Sequence, residues 1–337
     1  MKQTLSLFIS CAVLGLTFGS AQQPALTFPD DAPLALAPSE VIAIFEPGTF
    51  LESVVVDGAN NLYATLIRMD GGTGEIWRKT ATGETGTFAE IGANTLALHP
   101  DGTLYATVQR GDFDLNDFSS LTYELVRLSE AGSSDVVATF PNPSVPNGIT
   151  FDEAGILYAA DSGFGKVWRI DVGTGEVESW LESDLLAPQG PQGIPGANGL
   201  KFFGPDLFVV NSSSGDFVRV PVNEDGSASE PEVVTSGVTG DDFAFDPDGN
   251  AFITTHPFNT VLKVAPDGSK TVVGNAENGI IGPTAAAFGV AGDETGLYVV
   301  TDGGLFLQMA PPELGTLLPQ DQGLPSVVRL ELATSYE

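Results

Sequence analysis

Apolar and polar positions alternate along this chain in short runs, and the runs recur as a unit. Six stretches share one order: a polar residue, an apolar strand, a tight turn and a second strand. They read Glu52-SVVVDGANNLYAT, Asn94-TLALHPDGTLYAT, Asn147-GITFDEAGILYAA, Asn198-GLKFFGPDLFVV, Asp241-DFAFDPDGNAFIT and Thr284-AAAFGVAGDETGLYVV. Their starts lie 42, 53, 51, 43 and 43 residues apart. A period of this size with hairpin turns such as PDG and DEAG predicts propeller blades. A third run repeats as well: Ile76-Trp77-Arg78, Leu125-Val126-Arg127, Val167-Trp168-Arg169, Phe217-Val218-Arg219, Val261-Leu262-Lys263 and Val327-Val328-Arg329.

The pattern therefore predicts an all-β chain, a six-bladed β-propeller with four-stranded antiparallel blades over residues 39–334. The last blade lacks a strand after Arg329, and Val41–Phe45 (VIAIF) is expected to close it, which also removes exposed sheet edges. Residues 22–38, rich in Pro and Ala, are expected to be a linker.

Composition sharpens this picture. Forty glycines and 23 prolines fit many short strands joined by turns. The net charge is −31, which argues against nucleic acid or an anionic membrane as partner and leaves a small-molecule substrate and a monomer as the expectation. The six third-strand cations are nearly half of the 13 Lys and Arg, and are expected to face solvent beside acidic neighbours. Residues 1–21 carry Lys2, an apolar run from Leu5 to Phe18 and small residues before Gln22, a secretory signal peptide that predicts an extracellular or periplasmic protein. The single cysteine, Cys11, falls in that run, so no disulfide is expected in the mature chain.

In a propeller the first strand of each blade lines the central channel, so the leading polar residues form a predicted ring: Glu52, Asn94, Asn147, Asn198, Asp241 and Thr284. Carboxylate and amide oxygens at one depth suit a hard divalent cation such as Ca²⁺ or Mg²⁺. The bland alternative is that such residues only satisfy neighbouring loops. His256, in THPFN, is expected near the channel mouth as a proton-transfer group, with a partly exposed loop histidine as the alternative. His99, Asp161 and Asn211 are expected to be structural, although Asn211-Ser-Ser also reads as a glycosylation sequon. The loops Gln109–Thr122 and Leu305–Pro325 are candidate pocket walls. Phe113, Phe118, Phe164 and Phe258 are candidate apolar sides.

The strings LESVVVD, PNGITFD, ANGLKF and DDFAFDPDGN, in this order and spacing, resemble the senescence-marker-protein/gluconolactonase/luciferin-regenerating-enzyme-like (regucalcin-like) propeller family, which includes phosphotriesterase-type fluorophosphatases. The resemblance implies Glu52, Asn147, Asn198 and Asp241 as ligands of a central divalent cation. Ca²⁺ leads, and Mg²⁺, Mn²⁺ or Zn²⁺ are its alternatives. Asp241 would be the catalytic base or nucleophile. Asn94 and Thr284 have no clear counterpart as ligands. Sugar-lactonase members carry an arginine where this chain has Val145, which argues against sugar-acid lactones. The strings ADSGFGKVWRIDVGTGE, DDFAFD and GPTAAAFG look closer to a secreted or fungal-type branch that includes pericyclases guiding hetero-Diels–Alder reactions. The leading expectation is thus a metal-dependent hydrolase of a lactone or related ester. The alternatives are a pericyclase-like enzyme, or a binding propeller with a structural metal.

Overall fold

The structure, a computed structural model, describes residues 26, 28–29, 31–111, 121–189, 194–305, 307, 315 and 318–332. The expected leader 1–21 and the candidate wall residues Phe113 and Phe118 lie outside the described residues. The fold is an all-β, six-bladed β-propeller, with 24 strands in six four-stranded sheets among the described residues. In chain order, β1 is Ser39–Ile44, and blade one holds β2 (Thr49–Val56), β3 (Leu62–Arg68), β4 (Glu75–Lys79) and β5 (Thr85–Ala89). Blade two holds β6 (Ala93–Leu98), β7 (Leu104–Arg110), β8 (Thr122–Leu128) and β9 (Ser134–Thr139). Blade three holds β10 (Pro146–Phe151), β11 (Ile156–Asp161), β12 (Lys166–Asp171) and β13 (Glu176–Glu182). Blade four holds β14 (Ala197–Phe203), β15 (Asp206–Asn211), β16 (Asp216–Val220) and β17 (Glu232–Ser236). Blade five holds β18 (Phe243–Phe245), β19 (Ala251–Thr255), β20 (Thr260–Val264) and β21 (Lys270–Gly274). Blade six holds β22 (Pro283–Phe288), β23 (Gly296–Thr301) and β24 (Ser326–Glu331), and β1 pairs antiparallel with β24 to complete it.

Two compact units divide these blades. One contains Ala93–Gly240, hence blades two to four; the other contains Pro29–Arg68, Gly72–Gly92 and Asp241–Glu337, hence blades five, six and one. Within each, apolar side chains interlock between neighbouring blades. Leu157, Ile170 and Leu125 join blades two and three; Leu200, Leu207 and Val218 join Tyr158 and Ala160 between blades three and four. In the other unit, Phe252 and Val261 pack on Leu297 and Val328, and Leu51 and Ala64 pack on Ala285 and Val300. Fully burying one such Leu or Val contributes about 1.5–3 kcal/mol over leaving it exposed.

Burial falls from inner to outer strand, as the sequence pattern demands. Inner β2 is apolar on both faces and almost wholly buried, whereas outer β13 (EVESWLE) is mostly exposed. The third-strand cations sit directly across from a second-strand aromatic in all six blades: Tyr63 with Arg78, Tyr105 with Arg127, Tyr158 with Arg169, Phe208 with Arg219, Phe252 with Lys263 and Tyr298 with Arg329. Such cross-strand pairs stabilise a sheet locally. Most of these cations also meet acids, Arg169 with Glu178, Arg219 with Asp206 and Glu232, and Arg329 with Asp293 and Glu331.

Three inner hairpins share one turn. Asp57, Asp152 and Asp246 each use Oδ1 to receive the backbone N–H groups two and four residues on. The residue in the left-handed region is Gly155 or Gly249 in blades three and five, and Asn60 in blade one. In blade two His99 replaces the aspartate, and its Nδ1 accepts the N–H of Asp101 at 3.2 Å. The ring also packs edge-on against Phe151, which gives His99 a structural role in the turn.

The Pro/Ala-rich segment expected as a linker is partly ordered against the sheet. Ala35 and Ala37 donate to the carbonyls of Val272 and Val273, and Val272 donates to that of Pro33, so this stretch runs along the outer edge of β21. No helix among the described residues is long and apolar enough to cross a membrane.

Two anchors carry testable weight. Thr284 Oγ1 donates to the carbonyl of Leu51 at 2.6 Å, tying blade six to blade one in a buried position. Thr284→Val keeps the shape and orphans that carbonyl, so urea unfolding should show a loss of about 1–3 kcal/mol; an unchanged midpoint would remove the tether from the account. Asp161 receives Val145 N–H, Gly163 N–H and the indole N–H of Trp168, the last at 2.8 Å. Burial, the dominant influence, raises its carboxyl above the ordinary 3.8. A raised folded value means the native state binds the proton more readily, so stability from this group is greatest below 3.8 and is lost as pH climbs through the raised value. The wild-type advantage over Asp161→Asn should therefore shrink from acid towards neutral pH in denaturation curves. A pH-independent gap contradicts this.

Candidate functional site

Five of the six predicted ring residues lie at an interruption of their ladder, and the sixth, Asp241, precedes β18. Pairing between first and second strands breaks between Leu51 and Val54, Ala93 and Leu96, Pro146 and Ile149, Ala197 and Leu200, and Pro283 and Ala285. Those breaks bracket Glu52, Asn94, Asn147, Asn198 and Thr284. A bulge of this kind re-aims a side chain and leaves backbone groups to be satisfied. Blades one, two and five satisfy them with a threonine on the second strand: Thr65 receives Ser53 N–H, Thr107 receives Thr95 N–H and Thr254 receives Asp242 N–H. In blade three the bulge contains Gly148, where a Cβ would stand 2.6 Å from the carbonyl oxygen of Asn198, so the Asn-Gly pair serves close packing against blade four.

Beyond the second strand lies a second column of residues that hold the ring side chains. Asn147 Nδ2 donates to Ser162 Oγ at 3.2 Å, and Asn198 Nδ2 to Ser212 Oγ at 3.0 Å. Each serine then donates to the next inner segment, Ser162 to the carbonyl of Ala197 and Ser212 to that of Gly240. With its nitrogen committed to serine, each amide turns its oxygen the opposite way.

Blade five occupies the same position with histidine. Asp241, just ahead of β18, is 8% exposed, and its Oδ2 stands 3.2 Å from His256 Nδ1. His256 opens a 3-10 turn, His256–Phe258, that Asn259 ends in the left-handed conformation. It is 4% exposed, with Phe50 edge-on to the ring at 5.8 Å, so the partly exposed alternative does not hold. Its Nε2 lies 2.9 Å from Oδ2 of Asp302, itself 2% exposed. Asp302 is the residue that sequence inspection overlooked. It follows LYVVT one position later than Asp161 follows LYAA and Asn211 follows LFVV, and that offset hid it.

The remaining candidates fall into place around this frame. Asn211 is fully buried and donates to the carbonyls of Leu185 and Ala187, so in the folded protein its sequon is inaccessible to glycosylation. Phe164 packs partly buried against the core of blades two and three, and Phe258 is half-buried in the His256 turn. Of the two expected loop walls, residues 112–120 and 306, 308–314 and 316–317 lie outside the described residues. A cleft of about 880 Å³ opens between Pro38, Phe252, Lys263 and Phe288, and no ring residue lines it.

Among the described residues, no group of three or more His, Cys, Asp or Glu is arranged to hold a metal ion. The predicted ligand residues are oxygen donors in each unit taken by itself: the buried carboxylates of Glu52 and Asp241 in one, and the amides of Asn147 and Asn198, each held through its nitrogen, in the other. All four are hard oxygen donors, the chemistry that Ca²⁺ or Mg²⁺ requires.

No protein-family model matches the chain. Two fungal proteins, each named "Putative hetero-Diels-Alderase", are similar in sequence. One, from Phoma sp, is 33% identical over 148 residues, which is 40% of this chain and 42% of that protein. The other, from Sarocladium schorii, is 24% identical over 346 residues, 84% of this chain and 82% of that protein. Among solved structures, a Xanthomonas campestris gluconolactonase superposes with a TM-score of 0.63 at 13% identity, covering 93% of this chain and 96% of that one. An Agrobacterium tumefaciens regucalcin, a calcium-binding protein, gives 0.62 at 16% identity over 89% and 96%. A luciferin-regenerating enzyme gives 0.63 at 14% identity over 89% and 96%. The chain thus has the six-bladed fold of the gluconolactonase, regucalcin and luciferin-regenerating-enzyme structures, as its motifs imply.

Proposed function

We propose that this chain is an enzyme acting on a carbonyl-bearing small molecule, with its acid–base centre at Asp241 and His256, and that it hydrolyses a lactone or related ester. The observation that carries this is the buried contact of Asp241 with His256, which is in turn held by Asp302. A carboxylate in contact with an imidazole can take up a proton and pass it on at neutral pH, where histidine titrates. In the hydrolysis, Asp241 accepts one proton of an attacking water as the water oxygen bonds to the carbonyl carbon. The ester C–O bond then breaks, and the leaving oxygen receives a proton back from Asp241. His256, whose two nitrogens both face carboxylates, serves as the proton partner of Asp241 and does not protonate the leaving group itself.

Glu52, Asn147, Asn198 and Asp241 would hold a divalent cation, Ca²⁺ first among the candidates. When bound, the cation polarises the substrate carbonyl, an effect worth several kcal/mol. The regucalcin likeness and the oxygen-only donor set support this assignment.

A second reading has its own support in the names of the two fungal relatives, a hetero-Diels–Alder cyclisation. There Asp241 and His256 would hydrogen-bond the heteroatom of a heterodiene while one C–C and one C–heteroatom bond form, with no net proton change.

Asp241→Asn and Glu52→Gln should each lower turnover of a lactone panel by on the order of 10²-fold or more, a typical cost of removing an acid–base group, and a chelator should do the same to the wild type. Hydrolysis that persists through both substitutions and chelation would exclude this mechanism. Cyclisation of a heterodiene–alkene substrate in chelator would favour the second reading. Ligand linkage supplies a further check. Ca²⁺ at about 100 times its dissociation constant should stabilise the wild type by about 2.7 kcal/mol in thermal unfolding, and Glu52→Gln should lose most of that shift. Equal shifts in both would remove Glu52 from the cation site.

A further inference from the structure

We propose that Asp302 is a positioning residue: by accepting a hydrogen bond from Nε2 of His256 it keeps a hydrogen on that nitrogen and turns Nδ1 onto Asp241. This deepens the acid–base assignment above, and its test does not depend on turnover.

Three observations combine. First, Asp302 is itself immobilised. Its Oδ1 receives the N–H groups of Gly304 at 2.7 Å and Leu305 at 3.1 Å, and its own N–H donates to the carbonyl of Gly282. Gly282 crowds that carboxylate so closely that a Cβ there would fall 1.8 Å from Oδ1. Oδ2 is therefore presented in one direction, and what it meets at 2.9 Å is His256 Nε2. Second, a carboxylate oxygen only accepts, so the facing nitrogen must carry the hydrogen. With Nε2 engaged by Asp302, Nδ1 is the nitrogen turned to Asp241 Oδ2, 3.2 Å away, so the orientation of the ring follows from the contact with Asp302. Third, the ring has little freedom to turn. It is 4% exposed, Phe50 flanks it, and Pro257 and Asn259 shape the turn that presents it.

A purely structural role for Asp302 is the rival, because Asp161 and Asn211 form the same kind of turn. Asn211 Oδ1 receives Ser213 and Ser214 N–H, and Asp161 Oδ1 receives Gly163 N–H. That comparison supplies the discriminating substitution. Asparagine closes such a turn at 211, so Asp302→Asn keeps the Oδ1 acceptor while replacing Oδ2 with an NH₂ donor. Asp302→Ala removes both.

The chain contains two histidines, so ¹⁵N-histidine labelling yields two imidazoles, and His99→Gln assigns them. At one fixed pH, long-range ¹H–¹⁵N spectra should show His256 protonated at Nε2 in the wild type. In Asp302→Asn, Nε2 should lose its proton and Nδ1 should carry one, with a thermal midpoint close to wild type. Asp302→Ala should lower the midpoint. A wild-type Nε2 without a proton overturns the proposal even if the variants fail to fold, and so does an Asp302→Asn protein that keeps Nε2 protonated. Where hydrolysis is measured, Asp302→Asn should reduce kcat by on the order of 10²-fold, as expected for an imidazole held in the wrong tautomer, with KM retained. A tautomer switch without that loss would uphold the role of Asp302 and count against His256 as the proton partner in hydrolysis.

Discussion

The constraint on which this structure depends is the interruption at the start of five of the six inner strands. A strand buried on both faces has no water to satisfy its backbone, so residues displaced from the ladder need partners within the protein. Threonine hydroxyls at 65, 107 and 254 receive displaced N–H groups, and hydroxyls at 95, 162, 212, 254 and 284 donate to carbonyls of the neighbouring inner segment. The same few side chains therefore hold a bulge open and join one blade to the next. A ring residue cannot relax back into the ladder without breaking an inter-blade bond, which makes the orientation of Asn147 or Asp241 a property of the fold.

Within that frame, one column of residues changes chemistry from blade to blade. Ser162 and Ser212 hold Asn147 and Asn198 with a hydroxyl, which fixes an amide and does nothing else. His256 holds Asp241 with an imidazole, which fixes a carboxylate and can also carry a proton. Asp302 occupies the column in blade six and reaches back to blade five. The proposed acid–base centre therefore uses positions of a repeated structural device, with histidine and aspartate where blades three and four have serine.

How far this was legible before the structure varies with the range of the interaction. The blades, the closing strand β1 and the cation column follow from two-residue alternation and a recurring spacing, both local signals repeated six times. The ring was an expectation from equivalent strand positions sharing a depth, and what the structure adds is a ladder break at five of its six members. The burial of His256 does not, since a THPFN turn reads equally well as an exposed loop. Asp302 escaped for a related reason: its contact with His256 spans 46 residues, and it sits one place out of line with Asp161 and Asn211. The bonds of segment 33–37 to β21 had no signal in the sequence, because Pro and Ala carry no strand pattern, yet its backbone pairs with the edge of that strand.

Charge separates inside from outside in a way that bears on the chemistry. Among the described residues, acids such as Glu178, Glu232 and Glu331 lie on the outer parts of the sheets and meet the third-strand cations. Few carboxylates are buried, and Glu52, Asp161, Asp241 and Asp302 each require a local reason, because a buried charge is expensive. For Asp161 the reason is three donors that close a turn. For Asp241 it is a histidine already oriented by a second acid. Ester hydrolysis and hetero-Diels–Alder cyclisation make different bonds, yet both need one substrate heteroatom polarised in a site of fixed geometry. A carboxylate held by an oriented imidazole would meet that need in either of the two proposed reactions, and the choice between them would then fall to the walls of the pocket.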